Sequence, residues 1–180
     1  MTEIQQHPLA CQWTFWIDDL GEKNASYEQY INNLKQLSTC NSIETFWKSY
    51  SELPSIELLQ NQKISIYFMK NGIKPLWEDL RNQNGSTITI KCPKNTTSMI
   101  WKQLLVHLIS NQSNEFINNS VINGVSISMK RDNNILSFWI NSINTKQQQN
   151  TVDLILSLFP DLKREDTFIK ENKQHQSYSK

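Results

Sequence analysis

Glycine is scarce in this 180-residue chain: there are four, and no two lie close enough to build a phosphate-cradling loop. That excludes the glycine-rich nucleotide sites that hold phosphate on backbone amides. Cysteine is scarcer, with only Cys11, Cys40 and Cys92 and no C-x-x-C pair, so neither a disulfide framework nor a zinc site is expected. The three histidines, His7, His107 and His175, fall in no metal-ligand spacing and no nucleophile motif. No catalysis, metal or cofactor is therefore expected, and His107, among Leu105, Val106, Leu108 and Ile109, reads as a tolerated helix residue. Excess charge is missing too. A net charge of +1 provides no broad basic field for gripping a duplex by its phosphates, so any nucleic-acid contact would be local and chemical. No charged-then-apolar leader opens the chain and no apolar run is long enough to cross a bilayer. The expectation is a cytoplasmic protein, with the nucleus also open and no membrane partner.

Aromatic residues are plentiful by contrast. They make up 10% of the chain and include six tryptophans, Trp13, Trp16, Trp47, Trp77, Trp101 and Trp139. The most informative stretch is Gly72-Ile73-Lys74-Pro75-Leu76-Trp77-Glu78-Asp79, where a Trp adjoins a carboxylate just after a Gly and a Pro that favour a bend. A flat aromatic face can stack on a base. An ionised Glu only accepts hydrogen bonds, so it can take two from a guanine edge. A base that also carries positive charge gains cation–π attraction on the same face. Trp77 and Glu78 thus read as half of a pocket for a charged guanine; the alternative is a turn whose Trp tucks into the core.

Length and pattern predict one mixed α+β domain. Strands are expected over Cys11 to Ile17, Ile64 to Met69, Ser86 to Lys91, Gly124 to Met129, Ile135 to Ile140 and Thr167 to Ile169, from period-two alternation. The fourth and fifth form a hairpin across Asp132-Asn133-Asn134. Three helices are expected. Asn41 caps the first, with Glu44 as capping-box partner, and Ile43, Phe46, Trp47, Tyr50 and Leu53 recur along it. The second runs from about Ser98 to Ile109 on a stripe of Trp101, Leu104, Leu105 and Leu108. The third carries Val152, Ile155, Leu156 and Phe159 and stops at Pro160. The Asn- and Gln-rich connections, such as Gln147-Gln148-Gln149-Asn150, read as exposed loops without functional weight.

The ordered series His7-Pro8-Leu9, Trp13 to Trp16, Ser42 to Tyr50, Gly72 to Asp79, Trp101 and Trp139 resembles the translation initiation factor 4E family, whose members bind the 7-methylguanosine cap of messenger RNA. The resemblance runs from His7 to about His175. It implies a domain over residues 7–175 between tails at 1–6 and 176–180, folded as a curved antiparallel sheet with three helices on its convex back. It also implies a cap-binding set. Trp77 and an aromatic at Tyr27 would sandwich the methylated guanine, Glu78 would read its edge, and Trp139 would contact the N7 methyl. Lys130 would meet cap phosphate in place of a family Arg, as a point charge where Arg offers a planar fork. A second family phosphate Lys falls on Ile135 and a further Arg near Thr87, so the phosphate site is depleted, with Arg131 as a candidate substitute. His175 matches a His beside the cap.

Tyr27 in Ser-Tyr-Glu-Gln and Ile135 resemble the 4E homologous protein branch, which binds cap more weakly and typically represses translation; Lys130 departs even from that branch. On the opposite face, Trp47 with Pro8, Ile43, Val106 and Ile109 matches the family's docking site. It receives a short helix with a Tyr-x4-Leu-apolar pattern from the scaffold factor 4G or from 4E-binding repressors. Lys102 replaces an apolar family residue there. The implied function is cap recognition in translation initiation or its repression. The alternative is a protein-interaction module of the same fold with little cap affinity.

Overall fold

The computed structural model describes residues 6–19, 31–60, 62–110 and 121–174. Seven strands form one antiparallel sheet: β1 (Pro8–Asp19), β2 (Leu34–Ser42), β3 (Ile64–Lys70), β4 (Ser86–Cys92), β5 (Ile122–Ser128), β6 (Asn134–Ile140) and β7 (Thr167–Glu171). Their order is β2-β1-β3-β5-β6-β4-β7. Among the described residues, the helices with both ends in view are α1 (Ile43–Glu52), the single turn α2 (Ile56–Leu59), α3 (Lys94–Ile109) and α4 (Thr145–Leu158).

Period-two alternation gives the sheet two unlike faces. Trp13 and Phe15, Ile66 and Phe68, Ile88 and Ile90, Val125 and Ile127, Leu136 and Phe138 join Phe46, Ile100, Trp101, Leu104, Val152 and Ile155 of the helices in the main core. At its centre Trp13 stacks on Phe68 with ring centroids 4.8 Å apart, and Phe15 packs beside them. The intervening residues face the other way. There Tyr67, Met69, Ile73 and Trp139 form a second, smaller apolar cluster, with Trp16, Leu34 and Trp77 packed against it. The helices cover the first face, and the candidate site lies on the second.

Several sequence expectations need correction. β2 is an additional strand with no signal in the residue pattern, because most of it is solvent-exposed and lacks clean alternation. The cap of α1 is Ser42, one residue later than Asn41. Its hydroxyl accepts from Thr45 N, and the Thr45 hydroxyl accepts from Ser42 N. Glu44 is released from capping and bonds His7 instead. α3 begins four residues early, at Lys94. Gln147-Gln148-Gln149-Asn150 is no loop: it lies in the first half of α4, where Gln148 is buried and donates to the Ser86 hydroxyl at 3.0 Å.

Candidate functional site

The segment between β3 and β4 has no regular structure, yet it is firmly tied. It leaves β3 through Gly72 at φ +80°, a left-handed conformation that favours glycine. The Asp79 carboxylate then accepts from the backbone amides of Lys74 and Arg81, at 3.0 and 2.9 Å. These bonds fold the loop back and present the half-buried Trp77 on the second face of the sheet, with the half-buried Glu78 next to it in the chain. Trp77 lies against Trp139, with centroids 6.2 Å apart and planes 23° from parallel. Trp139 is buried on β6; its indole N–H donates to the Ser126 hydroxyl at 3.2 Å, and its ring meets Tyr67. The Glu78 carboxylate makes no hydrogen bond or ion pair among the described residues.

The expected phosphate positions are partly neutral. Ile135 and Thr87 share a face with Trp139, but Ile135 is apolar and the buried Thr87 hydroxyl is engaged with Asn172 Oδ1 at 2.7 Å. Lys130 and Arg131 are exposed just beyond β5, with the Lys130 amide donating to Asn134 Oδ1 at 3.3 Å. Tyr27 and His175 lie outside the described residues.

The helix-covered side bears the second group. The His7 amide and ring donate to the two Glu44 oxygens at 3.0 and 2.7 Å, and Ile43 N donates to His7 O at 2.9 Å. Those bonds hold the Glu44 carboxyl down at about 2 and bring Pro8 to the start of α1. Trp47 stays 39% exposed, edge-on to Phe46 and Tyr50, with the Lys102 ammonium 5.5 Å from its ring centroid. Ile43 and Val106 are exposed too. Ile109 is not: it is 8% exposed and packed in the main core. The outer wall of α3 is instead Met99, Lys102 and Val106, facing a shallow groove that Leu158 of α4 also lines.

The family model for eukaryotic initiation factor 4E matches residues 8–180. The chain belongs to the eukaryotic initiation factor 4E family. Eukaryotic translation initiation factor NCBP of Arabidopsis thaliana is 32% identical over 171 residues, covering 94% of this chain and 73% of that protein. Among solved structures, C. elegans eIF4E-3, in complex with the 4E-binding protein Mextli and cap analog, superposes with a TM-score of 0.81 at 21% identity, covering 96% of each chain. Ascaris suum eIF4E-3, in complex with m7G cap, gives 0.77 at 23% identity, covering 93% and 92%.

In this member of the 4E family, sequence reasoning missed the residues that hold the Trp77–Glu78 loop. Asn82, Asn123 and Asn172 are all buried. Asn82 Nδ2 donates to the carbonyls of Lys74 and Leu76, both at 2.9 Å. Asn123 Nδ2 donates to Arg81 O at 2.8 Å and Asn82 Oδ1 at 3.0 Å. Asn172 Nδ2 donates to Asn82 O at 2.7 Å. Asn123 is the extra residue of a bulge between the Ile122–Ile140 and Gly124–Trp139 pairs, a device that re-aims a side chain. Gly124, next to it, is needed for close approach: a Cβ there would meet Met69 Sδ at 2.2 Å.

Proposed function

We propose that this protein binds the 7-methylguanosine cap of messenger RNA and acts in translation initiation or its repression, by binding and not by catalysis. The observation that carries this reading is the unspent Glu78 carboxylate beside Trp77, itself seated on Trp139. A half-buried acceptor pair next to an aromatic face matches a guanine edge, which offers two donors. N7 methylation adds the positive charge that makes stacking selective. The cap ligands of the C. elegans and Ascaris suum neighbours carry over on the same grounds. Tyr27 would be the second ring of the sandwich. Lys130 would meet phosphate, and the neutral Ile135 and Thr87 point to weak binding of the kind seen in the 4E homologous protein branch.

A helical peptide with a Tyr-x4-Leu-apolar pattern is the proposed partner on the helix-covered face, from a 4G-like scaffold or a 4E-binding repressor. The exposed Trp47, Ile43, Val106 and Pro8 support this docking site. Burial pushes each of the three thiols, Cys11, Cys40 and Cys92, up from its ordinary value, which leaves them unreactive; the cytoplasmic setting is proposed from the scarcity of cysteine and the absence of a C-x-x-C pair alone. Titration of intrinsic Trp fluorescence with 7-methyl-GTP and with GTP tests the reading. The methylated nucleotide should bind tighter, and equal affinities would overturn the proposal.

A further inference from the structure

The edge of the sheet beyond Trp139 carries an aromatic and two cations that lie outside the cap-site residues named above. Ile88, Ile90 and Ile169 point into the main core, so Thr87, Thr89 and Lys91 of β4 and Phe168 and Lys170 of β7 share the face of Trp139. Register makes the arrangement specific. Trp139, Thr87 and Lys170 are direct neighbours in one row across β6, β4 and β7. Ser137, Thr89 and Phe168 form the next row, and Ile135 and Lys91 the one after. Both positions where a phosphate-binding cation is missing, Thr87 and Ile135, therefore face a lysine across the ladder: Lys170 and Lys91.

Phe168 is 54% exposed on this surface. A single exposed apolar side chain means little, but this one has the Lys91 ammonium 5.5 Å from its ring centroid and Lys170 two residues along on the same face. Asp166 lies 3.5 Å from Lys91 Nζ and offsets part of its charge. At 45% side-chain exposure, Lys91 is free to swing from the ring toward a phosphate, since exposed contacts of both kinds are weak. Adjacent strands lie about 4.8 Å apart, so the ring sits about 10 Å sideways from the strand of Trp139. An aromatic flanked by lysines is how proteins hold single-stranded nucleic acid: bases stack on the ring and the backbone meets the charge.

We propose that Phe168, Lys170 and Lys91 form a platform for the first nucleotide downstream of the cap. Lys170, in the row of Trp139, meets the bridging phosphates, Lys91 supplements it, and Phe168 stacks under the base. This rests on the cap-binding reading above. The platform is not specific for one base, because every base has a flat face to stack.

The test compares 7-methyl-GTP with the capped dinucleotide m7GpppA on the full chain. Phe168→Ala should weaken m7GpppA about tenfold, the loss expected when one base–aromatic stack is removed, and leave 7-methyl-GTP within twofold. Phe168→Trp should restore m7GpppA binding, which a merely structural role for the ring would not predict. Lys170→Gln should weaken both ligands, more at low salt than at high salt. Equal effects of Phe168→Ala on the two ligands, or none on either, would overturn the platform while leaving the cap site standing. If 7-methyl-GTP and GTP bind alike, the cap reading itself falls. GpppA then decides the platform: a Phe168-dependent affinity keeps it, and its absence removes it too. Should Phe168→Ala not fold, Lys170→Gln and Phe168→Trp carry the same comparison, with unchanged binding of both ligands by Lys170→Gln as the overturning result.

Discussion

Asn82 donates a hydrogen bond to the carbonyl of Leu76, the residue immediately before Trp77. The orientation of the proposed base-stacking ring is thereby coupled to a side chain with no exposure to solvent. The same amide is held from behind by Asn123, which sits in the bulge opposite Trp139. One buried polar network thus links the two tryptophans of the site. Asn123→Ala would remove the donor to Arg81 O and leave the buried Asn82 Oδ1 unsatisfied, and an unsatisfied buried group costs about 1–3 kcal/mol. A loss of stability of about 2 kcal/mol or more is expected in urea unfolding. Affinity for 7-methyl-GTP should also fall, while binding of a helical peptide to the Trp47 face is unchanged. Unaltered nucleotide binding in a destabilised variant would show that the network supports the fold without aiming Trp77.

Glu78 separates base reading from general packing. Glu78→Ala should lose more 7-methyl-GTP affinity than Glu78→Gln, although Gln presents donors where acceptors are wanted. Removing one partner of a charge-assisted hydrogen bond typically costs about 1.5–3 kcal/mol. The loss for Ala should thus be at least tenfold by fluorescence titration. Because the carboxylate has no partner among the described residues, the melting temperature should barely move.

Much of this architecture was legible in the residue pattern. Ile64 to Met69, Ser86 to Lys91 and Ile135 to Ile140 emerge as strands because their alternate residues enter one core. The capping signal of α1 is ambiguous by one residue, since Asn41 and Ser42 are both good caps and only backbone geometry selects Ser42. β2 escaped notice because an edge strand with a mostly wet surface leaves no alternation to read. The asparagine network was the least visible part. Asn82, Asn123 and Asn172 look like loop residues in a chain rich in Asn, and their burial makes sense only when the ends of β5 and β7 meet the Trp77 loop. The burial of Ile109 is hidden for a related reason: at the end of α3 a small rotation of the helix decides between groove and core.

The two faces should respond independently. Trp47→Ala should abolish binding of a Tyr-x4-Leu-apolar peptide in calorimetry, and loss of a Trp anchor at an interface costs on the order of 2 kcal/mol or more. Cap binding should be unchanged, because Trp47 lies on the helix-covered side of the sheet. Normal peptide binding by the variant would remove Trp47 from the partner site.

The His7–Glu44 contact has a defined pH signature. The Glu44 carboxyl is lowered from 4.5 to about 2, chiefly by hydrogen bonds from the His7 ring and amide. A depressed carboxyl contributes stability that is fully present above its ordinary value. The contribution is lost as pH falls from 4.5 through about 2. Carboxyl carbon chemical shifts should show Glu44 titrating near 2, and His7→Ala should move the midpoint back toward 4.5. An ordinary midpoint in the unsubstituted protein would show that the latch between the β1 segment and α1 is open in solution.

Ile135→Lys tests the phosphate side of the site. Ile135 shares a face with Trp139 and lies directly opposite Lys91 on β4. A new lysine would therefore meet a like charge across the strands, which is destabilising where neighbouring pairs are worth roughly 0.2–1 kcal/mol. The free protein should melt slightly lower. With the cap triphosphate bound, the anion would neutralise both lysines. Affinity should rise, but only a few-fold, because a partly exposed charge pair is worth about 0.2–1 kcal/mol. The gain should shrink as salt rises, since the Debye length is about 8 Å at physiological ionic strength, and shrink again when 7-methyl-GTP is shortened to the monophosphate. Tyr27→Trp should behave oppositely, with a gain that survives both high salt and the shorter ligand, because stacking acts on the base. If the two substitutions answered alike to salt and phosphate number, the division of the site into base-reading and phosphate-reading positions would be wrong.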